Sequence, residues 1–135
     1  MKTIKGQTFD EERALYGSNG IKVIDCAFDG PADGESAFKE GRDIWVEHCF
    51  FNLRYPFWHD DRLKIVASEM TELCRAALWY SHDIEITDTK LHGIKALREC
   101  GRVKMQGCDV ISPEFGWSVQ EMGMKDCSVE GEYFM

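Results

Sequence analysis

Nowhere in this chain do apolar residues run on for the roughly eighteen positions that a membrane-spanning helix needs. There is no basic run either. Lysine and arginine number 16 against 24 aspartates and glutamates, giving a formal net charge of −8, which argues against a surface that tracks nucleic-acid phosphates. Cys-x-x-Cys spacing is missing, so no zinc or other metal site is expected, and without a phosphate-cradling glycine loop no cofactor is expected. The opening residues, Met1-Lys2-Thr3-Ile4-Lys5-Gly6, lack the apolar core of a signal peptide. A cytoplasmic location follows as the expectation, with the six cysteines held as thiols. What is present is an ordinary folding composition, 44% apolar and 30% charged over 135 residues, enough for one domain with a substantial core.

The organising feature is a repeat of about twenty residues. Five segments align from their first residue: Ile21–Phe28, Ile44–Phe51, Leu63–Met70, Ile84–Leu91 and Val103–Val110, with a sixth beginning at Met122. Apolar residues fill the first column (Ile21, Ile44, Leu63, Ile84, Val103, Met122) and the third (Val23, Val46, Ile65, Ile86, Met105, Met124). That alternation is the period of a strand with one buried face. The sixth column is always small (Cys26, Cys49, Ser68, Thr89, Cys108, Cys127), and the eighth is apolar again (Phe28, Phe51, Met70, Leu91, Val110, Val129). The step from three to six to eight breaks the alternation, so a bend separates two short strands. A second block closes each unit: Ala37-Phe38-Lys39, Pro56-Phe57-Trp58, Ala77-Leu78-Trp79, Ala96-Leu97-Arg98 and Phe115-Gly116-Trp117. Residues 1–20 supply a degenerate first copy through Phe9 and Ala14-Leu15-Tyr16.

One such unit cannot bury its own apolar side, whereas stacked units share a continuous core. The predicted fold is a single-domain, all-β, single-stranded right-handed parallel β-helix, a solenoid of six to seven rungs of 19–23 residues. Residues 1–20 form a partial rung, 21–121 five full rungs and 122–135 an incomplete one. Taken alone, Leu63, Val66, Met70, Leu73 and Ala77 fall near helical spacing, but the same residues fill the repeat columns, and the columns outweigh one window.

Several stretches also carry a family resemblance. They are Gln7-Thr8-Phe9 with Glu11-Glu12-Arg13-Ala14-Leu15-Tyr16-Gly17, Phe28-Asp29-Gly30-Pro31, Asp33-Gly34-Glu35-Ser36-Ala37, Asn52-Leu53-Arg54-Tyr55-Pro56-Phe57-Trp58-His59, Cys74-Arg75-Ala76-Ala77-Leu78-Trp79-Tyr80, His92-Gly93-Ile94-Lys95-Ala96-Leu97-Arg98-Glu99 and Ser112-Pro113-Glu114-Phe115-Gly116-Trp117. Together they resemble the bacterial DUF3737 family, uncharacterised proteins for which a right-handed parallel β-helix is expected. The resemblance spans nearly the whole chain and implies a fold, with no activity and no site residues. Family members typically run to about twice this length, so a truncated member is the expectation.

Candidate functional residues come from the columns. The cysteine ladder is expected to pack inward, since adjacent in-register parallel strands suit disulfide geometry poorly, while Cys74 and Cys100, placed in turns, are expected to be the more reactive thiols. Tyr16, Lys39, Trp58, Trp79, Arg98 and Trp117 share one column; aligned on one face, they suit a planar ligand such as a sugar ring. The stretches from Phe28 to Ala37 and from Met70 to Ala77 are longer than their counterparts, and both insertions fall at the same turn. Solenoid insertions gathered on one face mark a binding face. The expected ligand-binding set is Arg54, Tyr55, Trp58, Trp79, Arg98 and Trp117. A carbohydrate-active enzyme of lyase or hydrolase type is the alternative, through fold analogy alone. Arg75, Lys95 and Glu114 would then carry acid–base chemistry. Asp60-Asp61 and His92-Gly93 are only distant echoes of catalytic clusters, and His48, His59, His82 and His92 fall in different columns. The leading expectation is a non-catalytic module that binds a saccharide or protein partner, with neither nucleic acid nor membrane. Self-association through an open last rung ending in Tyr133, Phe134 and Met135 is a further expectation.

Overall fold

The computed structural model describes residues 2–116 and 118–131, which form seventeen strands and no helix. Trp117 and Tyr133, Phe134 and Met135, named above, lie outside the described residues. All pairing is parallel, as a coil of rungs requires. Side one stacks seven strands: Lys2–Lys5, Asn19–Ile24, Arg42–Glu47, Asp61–Val66, His82–Thr87, Gly101–Gln106 and Gln120–Lys125. Side two stacks seven shorter ones, Thr8–Phe9, Ala27–Phe28, Phe50–Phe51, Glu69–Met70, Lys90–Leu91, Asp109–Ile111 and Ser128–Glu130. Side three stacks Phe57–Trp58, Leu78–Trp79 and Leu97–Arg98. Backbone hydrogen bonds carry side three one rung further, from Phe38 N–H to the Pro56 carbonyl (2.8 Å) and from Glu40 N–H to that of Trp58 (3.0 Å). The coil is thus a β-solenoid of about seven turns, and in the segment with rival helical spacing Leu63, Val66 and Met70 lie on two of its strands while Leu73 and Ala77 lie in the turn that follows.

Register follows the repeat column by column: Ile21 pairs with Ile44, Ile44 with Leu63, Leu63 with Ile84, Ile84 with Val103 and Val103 with Met122. On side two, Phe9 faces Phe28 and Phe28 faces Phe51. Their rings lie stacked at 5.2 Å and 4.8 Å. Phe38 and Phe57 stack likewise from side three at 5.2 Å, and Phe51 meets Phe57 at 5.1 Å and 58°. The N-terminal half of the core is therefore aromatic. Met70, Leu91 and Val110 replace the rings further along. Stacking like on like lets flat rings lie parallel at about strand spacing, which is why whole columns share a residue type.

Each rung turns on single residues in the left-handed region. At the corner between sides one and two these are Asp25, His48, Ala67, Asp88, Gly107 and Asp126, with φ between 47° and 64°. Such residues reverse the chain in one step, at a cost of about 1 kcal/mol for a side chain with a Cβ. The next residue explains the small column. Ser68 Oγ donates to the Val66 carbonyl (2.9 Å), Thr89 Oγ1 to that of Thr87 (2.9 Å), and Cys26 and Cys108 Sγ to the carbonyls two positions back (3.3 and 3.5 Å). A short donor thus satisfies a strand-terminal carbonyl inside a dry corner.

Cys74 and Cys100 occupy equivalent inward places, which corrects the expectation that their turn positions make them reactive. Both are at most 2% exposed, and burial pushes their thiols up to about 12 and about 11. Sγ of Cys74 donates to the Phe51 carbonyl (3.0 Å) and that of Cys100 to the Leu78 carbonyl (3.2 Å). The thiolate is the nucleophile, so these sulfurs are inert in the folded chain. A thiol reagent applied to native protein is expected to modify the half-exposed Cys127 within minutes and the other five only after denaturant; rapid native labelling of Cys74 or Cys100 would contradict the packing.

Candidate functional site

On side three the inward positions are filled by Phe57, Leu78 and Leu97, all fully buried, so the alternate positions, Trp58, Trp79 and Arg98, point outward. The two indoles lie 4.9 Å apart and within 8° of parallel. The Lys39 ammonium covers the outer face of Trp58 at 4.3 Å, and the Arg98 guanidinium covers that of Trp79 at 4.6 Å. The column is a four-layer stack, cation–indole–indole–cation. Tyr55, held in the left-handed region at φ 52°, leans against both indoles at 6.1 and 5.7 Å with tilted rings. Both indole faces are therefore covered, and the stack offers a ligand its edges, its cations and the rings beside it.

The corner from side three back to side one completes the site. Its left-handed residues are Glu40, His59, Tyr80 and Glu99 on successive rungs, with φ from 49° to 62°. Single αL corners splay these side chains away from the coil. His59 Nδ1 sits 2.9 Å from Glu40 Oε1. The Tyr80 ring runs nearly parallel to Trp79 at 5.4 Å and is 41% exposed. Glu99 beside its hydroxyl holds the phenol above its ordinary pKa. His82 follows on side one, lying over Gly101, where a Cβ would come within 3.0 Å of its ring. Lys39, Glu40, Trp58, His59, Tyr80 and His82 together line a hollow of about 330 Å³.

Beneath this corner Asp60 points inward and is 1% exposed. Its Oδ1 accepts from Gly41 N–H at 2.6 Å, and its Oδ2 has no partner. Burial, reinforced by the charge of Glu40 and opposed by the Gly41 hydrogen bond, pushes this carboxyl up to about 9, so it is neutral at pH 7. Asp61 faces the opposite way, toward Arg62 at 3.2 Å and Arg42 at 3.7 Å. The two aspartates therefore do not form a pair.

A surface hollow of about 710 Å³ lies on side one along Arg62, Lys64, Asp83, Glu85, Arg102 and Lys104. Most of its charges are already matched along the stack: Arg62 with Asp43 (2.6 Å), Arg102 with Asp83 (2.5 Å) and Lys64 with Glu85 (3.6 Å). Those guanidinium hydrogen bonds hold Asp43 and Asp83 below the usual carboxylate range. A groove that neutralises itself offers few unmet groups, and size alone does not make it the site.

Of the ligand-binding set, Tyr55, Trp58, Trp79 and Arg98 come together, whereas Trp117 lies outside the described residues. Arg54 turns instead to Asp33 (3.4 Å) and Glu35 (3.9 Å), fastening the longer insertion to the next rung. Of the acid–base set, Lys95 and Glu114 form an ion pair at 3.5 Å, and Arg75 is exposed without an ion-pair partner among the described residues. His92 lies elsewhere, 3.1 Å from Asp109 on side two. Glu40, His59, Tyr80 and His82 were not in either set; the column next to the tryptophans is the signal that marks the first three. Among the described residues no group of three or more potential ligands is placed to hold a metal.

The family model described as a protein of unknown function (DUF3737) matches residues 2–135. The chain belongs to the DUF3737 family. No curated protein and no solved structure matches it. The DUF3737 assignment covers essentially the whole coil, so the column positions named above lie within the matched region.

Proposed function

We propose that this DUF3737 protein is a non-catalytic binding module whose third side and adjoining corner receive a saccharide. The observation that carries the reading is the Lys39–Trp58–Trp79–Arg98 stack with Tyr55 and Tyr80 beside it. It concentrates aromatic surface and positive charge on one side of a chain whose formal net charge is −8. Indole edges, an exposed phenol ring and imidazoles are the mixed apolar and hydrogen-bonding wall that a sugar ring needs. Both insertions fall at the turn that leads into this side, which supports it as the face that varies with ligand. Pre-stacking lowers the ordering cost of binding, since the rings are already held.

Trp58→Ala and Trp79→Ala are each expected to weaken the best binder from a panel of oligosaccharides about tenfold, through lost contact and a loosened stack. Isothermal titration on wild type and both variants checks this. A panel with no binder, or variants that bind as wild type does, would remove the saccharide reading.

A further inference from the structure

The corner hollow is unbalanced in its hydrogen-bonding groups. Its carboxylates are engaged: Glu40 by His59 at 2.9 Å, and Asp61, just behind, by Arg62 and Arg42. Glu99 faces the Tyr80 hydroxyl. Its donors are not engaged in the same way. The Lys39 ammonium lies over Trp58 with no carboxylate within ion-pair distance among the described residues, and the same holds for Arg98. Nε of Arg98 is buried without a hydrogen-bond partner. His59 spends Nδ1 on Glu40 and has Nε2 free, and neither ring nitrogen of His82 meets an acceptor among the described residues. An ammonium, an imidazole nitrogen and a second imidazole thus converge on one hollow walled by Trp58 and Tyr80. The complement of such a set is an acceptor-rich anion attached to a ring.

We infer that the hollow selects an acidic sugar, one whose ring carries a carboxylate, over its neutral counterpart, with Lys39 and His82 meeting the carboxylate and Tyr80 flanking the ring. This rests on the saccharide reading above and names the ligand class within it. Charge-assisted hydrogen bonds are about twice as strong as neutral ones, so the carboxylate is where discrimination arises. Glu40 acts against any anion that enters, and its pairing with His59 tempers that repulsion.

The test compares a cello-oligosaccharide tetramer with its C6-oxidised form, which has the same backbone plus carboxylates, by titration calorimetry at low salt. The oxidised tetramer is expected to bind about tenfold more tightly, and the preference to shrink as salt rises. In Lys39→Met, which keeps the aliphatic stem over Trp58, the ratio of the two affinities is expected to fall to near one. Equal affinity of wild type for both tetramers overturns the acidic-sugar inference while leaving the saccharide reading standing. A preference that survives in a folded Lys39→Met and in His82→Gln overturns the assignment of the donors. Binding of neither tetramer, nor of any oligosaccharide in the wider panel, overturns both.

Discussion

Phe51→Ala is expected to cost about 3–5 kcal/mol of stability, the range for emptying a fully buried aromatic site. The ring is 0% exposed and touches three others: Phe28 above it in its own column, Phe38 across the core and Phe57 on its own rung. In a solenoid each rung rests only on its neighbours, so a void at this rung weakens the interfaces on both sides. The backbone ladders, bonded on both edges at Phe50 and Phe51, hold the walls apart and keep the void from collapsing. Phe51→Leu keeps most of the volume and copies Leu91 of the same column, so its cost is expected to be under about 1.5 kcal/mol. Urea denaturation followed by circular dichroism measures both. A Phe51→Ala cost below about 1 kcal/mol, less than even a single buried methylene is typically worth with its cavity, would mean the column is not packed as described.

The second large effect comes from Asp60, whose carboxyl titrates near 9 in the fold against the ordinary value of 3.8. Between those values the folded chain holds a proton that the unfolded chain has released, so stability falls as pH rises, by about 1.4 kcal/mol per unit. From about pH 5 to about pH 8 the loss is on the order of 4 kcal/mol. Asp60→Asn mimics the protonated acid: its amide oxygen can keep the Gly41 hydrogen bond, and it does not ionise. The variant is expected to match wild type only at about pH 4 and below and to exceed it progressively from there toward pH 8. Urea midpoints across that range test this. Parallel wild-type and variant curves would show that Asp60 ionises freely in the fold.

The columns were legible because the physics that fills them is simple. An inward position must be apolar and must fit the rung above and below, so Ile21 predicts Ile44 and Phe28 predicts Phe51. The outward direction of Trp58 and Trp79 was not legible: a two-residue strand offers too short an alternation to tell Phe57 from Trp58 as the buried partner. Nor were the corners. Glu40, His59 and Tyr80 disfavour the left-handed region locally, yet the stack of backbone hydrogen bonds on either side imposes it, so no local signal marks them as corner residues. Cys74 and Cys100 read as exposed because turns are exposed in most folds, whereas the tight corners of a β-solenoid point small side chains into the core. Asp60-Asp61 read only as a distant echo of a catalytic cluster, and the burial of Asp60 was not legible in it: successive residues of extended backbone face opposite ways, and only Asp61 reaches solvent.

Side three and its corner as the recognition surface can be tested directly by mapping amide and indole chemical shifts of isotope-labelled protein while the tightest-binding oligosaccharide is added. The expected result is shifts concentrated at Lys39, Tyr55, Trp58, His59, Trp79, Tyr80 and His82. Shifts gathered instead along Arg62, Glu85 and Lys104 on side one, with the indole signals of Trp58 and Trp79 unmoved, would contradict it.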